Sequence, residues 1–273
     1  MKTLKLILAT TIVALTAASC GTNKQETQAP KTLVLYYSLT GNTQAVAEEI
    51  ANRLGADIEG IACVNPYDTN FQACIQRCMQ EREQGALPDI QPVNADLSQY
   101  DIIFIGYPVW FGTYAPPVIT FLNNADLSGK KIVPFCTFGS GGLESSIADL
   151  KAAEPDAEIL PGYGVRAARL EAMPQEVEQF LIAGGFIEGE YTPLADFPEQ
   201  HEVTADEAAI FDAAVDGYPM LNAKAANVAS RPVTGGTEYL FEANDLSAPE
   251  AHTIKVYVLA EEGKAPVFTQ VLR

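Results

Sequence analysis

Between residues 32 and 187, short apolar runs alternate with segments of helical periodicity, which restricts the fold of this 273-residue chain more than any other feature. The strand-like runs lie near 32–37, 57–62, 101–107, 131–136 and 158–166. Between the first two, Val46, Ala47, Ile50, Ala51 and Leu54 share one face of a helix. Pro174 suits the first turn of a last helix carrying Val177, Phe180 and Leu181, and Gly184-Gly185 stops it. Strand–helix alternation of this kind predicts an α/β domain with a parallel sheet covered on both faces. Pro134 falls inside a predicted strand, where it removes a ladder donor, and predicts a local irregularity.

The chemistry sits where these runs end. Thr32-Leu33-Val34-Leu35-Tyr36-Tyr37 passes directly into Ser38-Leu39-Thr40-Gly41-Asn42-Thr43 and then into the amphipathic segment. A strand, a tight hydroxyl-rich loop and a helix N-terminus together suit a phosphate monoester: backbone N–H groups turn inward and the helix end adds partial positive charge. Ser38, Thr40 and Thr43 would add hydroxyl donors, and Gly41 lets the backbone approach closely. The loop holds no Lys or Arg, so dipoles and hydroxyls would do the holding, as suits a retained cofactor. The same residue types also build ordinary polar turns.

Two further loops extend the pattern. After Asp101–Gly106 comes Tyr107-Pro108-Val109-Trp110-Phe111-Gly112-Thr113, which includes the one tryptophan of the chain. Rings gathered in a loop suit a flat heteroaromatic ligand, since stacking adds to area burial. After Lys131–Cys136 comes Thr137-Phe138-Gly139-Ser140-Gly141-Gly142, with Phe138 as a second stacking face and several N–H donors.

On these motifs, residues 32 to about 187 resemble the flavodoxin-like family, specifically its short flavodoxin-type domains. Ser-Leu-Thr-Gly-Asn-Thr resembles that family's phosphate loop for flavin mononucleotide (FMN), and Gly-Tyr-Pro-Val-Trp-Phe-Gly its first ring loop. Phe-Cys-Thr-Phe-Gly-Ser-Gly-Gly is similar to the second ring loop, less closely. Phe111 stands where relatives often carry a second tryptophan, and Phe138 where a small residue is common. The resemblance implies a five-stranded parallel sheet of order 2-1-3-4-5 with FMN at the switch point. It implies a cofactor site of Ser38, Leu39, Thr40, Gly41, Asn42, Thr43, Tyr107, Pro108, Val109, Trp110, Phe111, Gly112, Thr137, Phe138, Gly139, Gly141 and Gly142. Thr40, Asn42 and Thr43 would grip the phosphate while Trp110 and Phe138 flank the ring.

At the N-terminus Lys2 and Lys5 precede an apolar stretch that ends in small residues before Cys20-Gly21. This reads as a cleaved signal over 1–20 rather than a membrane span. It resembles a bacterial lipoprotein box with Ala17 in place of the usual leucine, which would make Cys20 the acylated first residue. Residues 21–31 read as a tether. An ordinary secreted protein cut near Ala18 is the alternative.

Net charge is −18, and −20 once the leader is removed. Residues 31–195 carry 9 basic and 21 acidic side chains, and residues 196–273 carry 5 and 13. Both parts repel nucleic acid and anionic lipid, so membrane attachment is expected from acyl chains alone, on the periplasmic side. An acidic surface would disfavour an anionic reduced ring and steer basic redox partners, although solubility alone explains many acidic surfaces. Cys63, Cys74, Cys78 and Cys136 show no metal or Cys-x-x-C spacing; an exported compartment permits disulfides, and most of the four are expected as buried free thiols. His201 and His252 have no recognisable nucleophile partner, which leaves hydrolase chemistry without support.

Residues 191–202 read as a linker. Thr204-Ala205-Asp206-Glu207 predicts a capping box for a helix with Ile210, Phe211, Ala214, Val215 and Tyr218 on one face. Strands follow at Thr237–Glu242, Thr253–Leu259 and Val267–Leu272. This α+β segment, 203–273, resembles a cystatin-like fold: Arg231-Pro232-Val233-Thr234-Gly235 is similar to the cystatin loop Gln-x-Val-x-Gly, keeping Val233 and Gly235. Arg231 replaces the glutamine and no second-hairpin tryptophan exists, which argues against protease inhibition and for a docking or dimerisation module.

The expected function is therefore electron transfer by an exported FMN protein, with a redox protein or a small donor or acceptor as partner and a homodimer left open. An FMN-dependent NAD(P)H or quinone reductase, or a flavin-free binding module, are the alternatives. No catalytic acid or base and no metal ligand is assigned.

Overall fold

The computed structural model describes residues 30–247 and 252–273. The leader expected over 1–20, with Cys20, and the expected tether up to residue 29 lie outside the described residues. The first domain runs β1 (Thr32–Tyr36), α1 (Asn42–Leu54), β2 (Asp57–Gly60), α2 (Phe71–Gln84), β3 (Ile102–Trp110), the short β4 (Thr113–Tyr114) and α3 (Pro116–Asn124). It continues with β5 (Lys131–Phe138), α4 (Leu143–Ala153), β6 (Glu158–Ile159), β7 (Tyr163–Arg166) and α5 (Met173–Ala183).

The parallel sheet has the order β2-β1-β3-β5, with β6 and β7 sharing the fifth position. That is the predicted 2-1-3-4-5 arrangement with its last strand in two pieces. Alternate side chains of the central strands feed separate layers. Ile103 and Ile105 join Leu33, Leu35, Val118, Phe121 and Leu150 beneath α2, α3 and α4. Phe104 joins Val34, Val46, Ile50, Phe135, Val177 and Leu181 beneath α1 and α5.

Pro134 explains the broken strand. The carbonyl of Ile132 accepts from Leu160 N–H at 2.9 Å, so the backbone groups of Ile132, and two residues on of Pro134, face the fifth strand. Pro134 has no N–H to offer there. The register steps from Ile132↔Ile159 to Phe135↔Tyr163, which leaves one extra residue on the partner strand, a bulge opposite the missing donor.

The second domain comprises β8 (His201–Glu202), α6 (Ala205–Val215), β9 (Ala223–Val233), β10 (Gly236–Asp245), β11 (His252–Glu261) and β12 (Val267–Leu272). Its antiparallel sheet has the order β12-β11-β10-β9-β8. The capping box forms: Thr204 Oγ1 accepts from Glu207 N–H at 3.4 Å and Glu207 Oε2 accepts from Thr204 N–H at 3.0 Å. Phe211 buries fully against Phe241, ring centroids 5.1 Å apart, and Phe268, Val256 and Val258 complete that core. The sequence reading missed β9, whose alanine-rich stretch lacks the large alternating residues that marked the other strands. Arg231–Gly235 forms the end of β9 and its turn into β10, and Arg231 pairs with Glu238 at 2.7 Å.

The two domains meet at the outer edge of β12. Val271 N–H donates to Ser140 O at 2.5 Å, so the glycine-rich loop of the first domain covers an otherwise open sheet edge. Among the described residues, no helix is long and apolar enough to cross a membrane.

Candidate functional site

The carboxyl ends of β1, β3 and β5 and the turns that follow them, within residues 38–43, 108–112 and 137–142, border one cavity of about 890 Å³. At its polar end stands the start of α1. Gly41 occupies the N-cap position at φ 88°, a left-handed conformation that glycine adopts without strain, and no side chain caps the helix. The first turn of α1 contains no acidic residue, so its free N–H groups keep their partial positive charge. Ser38 Oγ accepts from Gly41 N–H at 3.1 Å and shapes the turn. Thr43, 1% exposed, shares a hydrogen bond of 2.8 Å with Thr137 across the two loops. One hydroxyl of that pair donates to the other, which leaves the accepting hydroxyl with a proton for the cavity.

A second helix also opens here. Gly142 caps α4 at φ 111°, again without a side-chain bond. Ser145, in the first turn of α4, donates to Gly112 O at 2.6 Å and ties the helix to the aromatic loop.

Other walls of the cavity are apolar. Trp110 is held edge-on by Tyr37 and Tyr67, at centroid separations of 5.9 and 5.1 Å. Phe111 has φ 52°, and no other described non-glycine residue has a positive φ. Its ring is half exposed and carries the Arg82 guanidinium 4.8 Å above it. The α2 stripe of Phe71, Cys74, Ile75 and Cys78 forms an adjoining wall. Burial pushes the Cys74 thiol up and the Cys78 thiol up to about 12, so both stay protonated and uncharged at neutral pH. All four described cysteines are buried and unpaired.

The loops thus bring Ser38, Leu39, Thr40, Thr43, Pro108, Val109, Trp110, Phe111, Gly112, Thr137, Gly139, Gly141 and Gly142 to one cavity. Gly41 and Asn42 form the turn behind it without lining it. Tyr107 and Phe138 are placed otherwise than the sequence implied. Tyr107 is fully buried and donates to Ser146 Oγ at 3.1 Å. Phe138, 5% exposed, packs over Gly164 and Leu143 inside the domain and does not reach the cavity. Tyr107 closes the apolar run 101–107 within β3, whereas Phe138 lies on β5 beyond the run 131–136, and strand alternation sends both into the layer beneath α2, α3 and α4.

This chain matches the flavodoxin family over residues 31–178, more than half of its length. It belongs to that family. Among solved structures, a candidate flavoprotein from Bacteroides eggerthii is 28% identical over 56% of this chain and 97% of its own, with a TM-score of 0.50. A second candidate flavoprotein, from Bacteroides uniformis, is 27% identical over 55% of this chain and 99% of its own, at a TM-score of 0.49. A Lactobacillus acidophilus flavoprotein, solved in complex with FMN, is 25% identical over 50% of this chain and 93% of its own, at 0.45. These relatives cover about half of the chain, and the flavodoxin domain here is followed by a second domain.

That second domain contributes residues the sequence reading did not foresee. Tyr218, Met220, Val271, Leu272 and Arg273 of the second domain also line the cavity. The α2 stripe could have been read from its i, i+3, i+4, i+7 spacing, since Phe71 opens a helix one turn before Cys74. Nothing in the spacing of residues 218–273 marks them as cavity walls, because their approach depends on how two domains pack.

Proposed function

We propose that this flavodoxin-family protein binds FMN in the cavity and uses it for electron transfer. The observation that carries this reading is one cavity lined both by hydroxyls at the start of an uncapped 13-residue helix and by the Trp110 ring. The residues suit the cofactor's parts. Thr40 and Thr43, with the free N–H groups of α1, would hold the phosphate without a cation. Trp110 would face the ring, and the backbone of 139–142 would meet its polar edge, as glycines at those positions allow. When bound, FMN supplies one- or two-electron chemistry at its isoalloxazine ring, and the protein supplies binding, orientation and electrostatics. The net charge of −18 would raise the cost of an anionic ring and attract basic partners.

FMN titrated into the purified chain tests this directly. Saturable quenching of Trp110 fluorescence together with a perturbed flavin spectrum is expected; a colourless chain that ignores added FMN would end the proposal. Thr40→Val removes a hydroxyl donor at the exposed lip and should weaken FMN by about 1 kcal/mol, roughly fivefold in Kd. An unchanged Kd in that variant would remove Thr40 from the phosphate site.

We further propose that the protein is exported and acylated at Cys20, on the strength of the basic, apolar and small-residue order of 1–20. Radiolabelled palmitate incorporated into the native chain, and lost in Cys20→Ala, is the expected result; equal labelling in both would refute it. The helix-on-sheet second domain keeps its likeness to cystatins as a proposal of shape, without the inhibitory residues.

A further inference from the structure

The second domain is fastened to the loop that borders the cavity, and the fastening is specific. Arg166, at the end of β7 and 9% exposed, donates from Nε to Gly139 O at 2.9 Å and from Nη1 to Phe268 O at 2.7 Å. Its guanidinium lies 3.4 Å over the Phe268 ring. Two carbonyls and an aromatic face therefore satisfy a buried cation, and both domains supply them. Beside this clasp runs the Val271–Ser140 backbone bond, and a Cβ added at Gly139 would stand only 3.0 Å from the Tyr218 hydroxyl, so the two domains approach closely there. The surfaces that result, Tyr218, Met220 and Leu272, face the cavity rather than solvent alone.

We propose that the second domain is the outer wall of the flavin cavity, shaping with loop 108–112 a subsite for a small, neutral, planar apolar molecule beside the ring. The inference rests on the FMN reading and deepens it. At about 890 Å³ the cavity lies near the upper end of the range for ligand sites, roughly 300–1,000 Å³. Its mouth carries three large apolar side chains, Phe71 and Met220 at 65% and Phe111 at 51% exposure. Apolar surface gathered in this way around a concave site marks ligand contact, and a methionine and two rings adapt well to a flat partner. The charges on the walls are damped. Arg273, the sole basic side chain lining the cavity among the described residues, lies 3.9 Å from the Asp245 carboxylate and donates to Met220 O at 3.3 Å. Burial pushes the Glu144 carboxyl up, toward its neutral form. An uncharged ring therefore loses the least on entry. A second protein, by contrast, meets the wall before it meets the cofactor.

Menadione serves as the probe, titrated into the full chain carrying oxidised FMN and followed by the flavin difference spectrum. Saturable binding is expected in the wild type and in Met220→Leu, within about twofold of each other. Met220→Asp, at a position 65% exposed, should weaken menadione about tenfold or more and at least about threefold more than it weakens FMN. Equal menadione affinity in Met220→Asp and wild type, or no saturable binding in either, overturns the wall. Failure of FMN itself to bind would remove the flavin reading and leave this test standing, because Trp110 fluorescence reports the same titration in FMN-free protein.

Discussion

Gly141→Ala should weaken FMN binding by about 1–3 kcal/mol, roughly five- to 150-fold in Kd, though residue 141 lies outside the phosphate loop. A Cβ at Gly141 would stand 2.3 Å from the carbonyl oxygen of Val271, and backbone cannot swing aside as a long side chain can. The neighbouring Ser140 carbonyl already accepts the Val271 amide at 2.5 Å, so loop 139–142 and β12 are in contact along their backbones. Relief of the clash must push the two domains apart or move the loop into the cavity. Either movement displaces the N–H groups proposed to meet the flavin ring and loosens the Arg166 clasp, whose acceptors sit on both sides. Calorimetric titration with FMN reads the loss, and far-ultraviolet circular dichroism confirms that the variant is folded. An unchanged Kd in a folded variant would show that the joint between the domains does not set the loop.

Phe104→Ala should cost about 3–5 kcal/mol of unfolding free energy, a large share of what a domain of ordinary stability possesses. Phe104 is 0% exposed on β3, the central strand, paired with Val34 on one side and Val133 on the other. Its ring meets Phe186 edge-on at 5.1 Å, so truncation empties the layer beneath α1 and α5 and loses an aromatic pair as well. Urea unfolding, followed by circular dichroism, should show a lower midpoint with the slope unaltered. A loss under about 1 kcal/mol would mean that the layer collapses onto the vacancy more completely than packed interiors do.

The parts of this protein that were legible in its sequence share one property: they are set by residues near one another in the chain. The α1 face of Val46, Ala47 and Ile50, the Thr204–Glu207 box and the irregularity at Pro134 each follow from local periodicity, capping or a missing donor. Phe138 shows where that reasoning stops. An aromatic residue next to glycines resembles a stacking face, but β5 extends through it, and the alternation of the strand turns it into the core against Gly164. Strand ends are poorly marked in a buried parallel sheet, because an all-apolar strand carries no period from which its last residue can be counted. The alanine-rich β9 was hidden for the opposite reason, too little apolar bulk to show alternation.

By itself, the order of residues determined the parallel α/β sheet, the three loops at its carboxyl edge and the hydroxyl-rich helix start, since all of these are written in short-range pattern. Only the tertiary structure decided which rings face the cavity, and that Arg166 joins the two domains at Gly139 and Phe268. Packing of one folded surface on another depends on shape and on long-range contacts such as Val271 with Ser140, which no local pattern encodes.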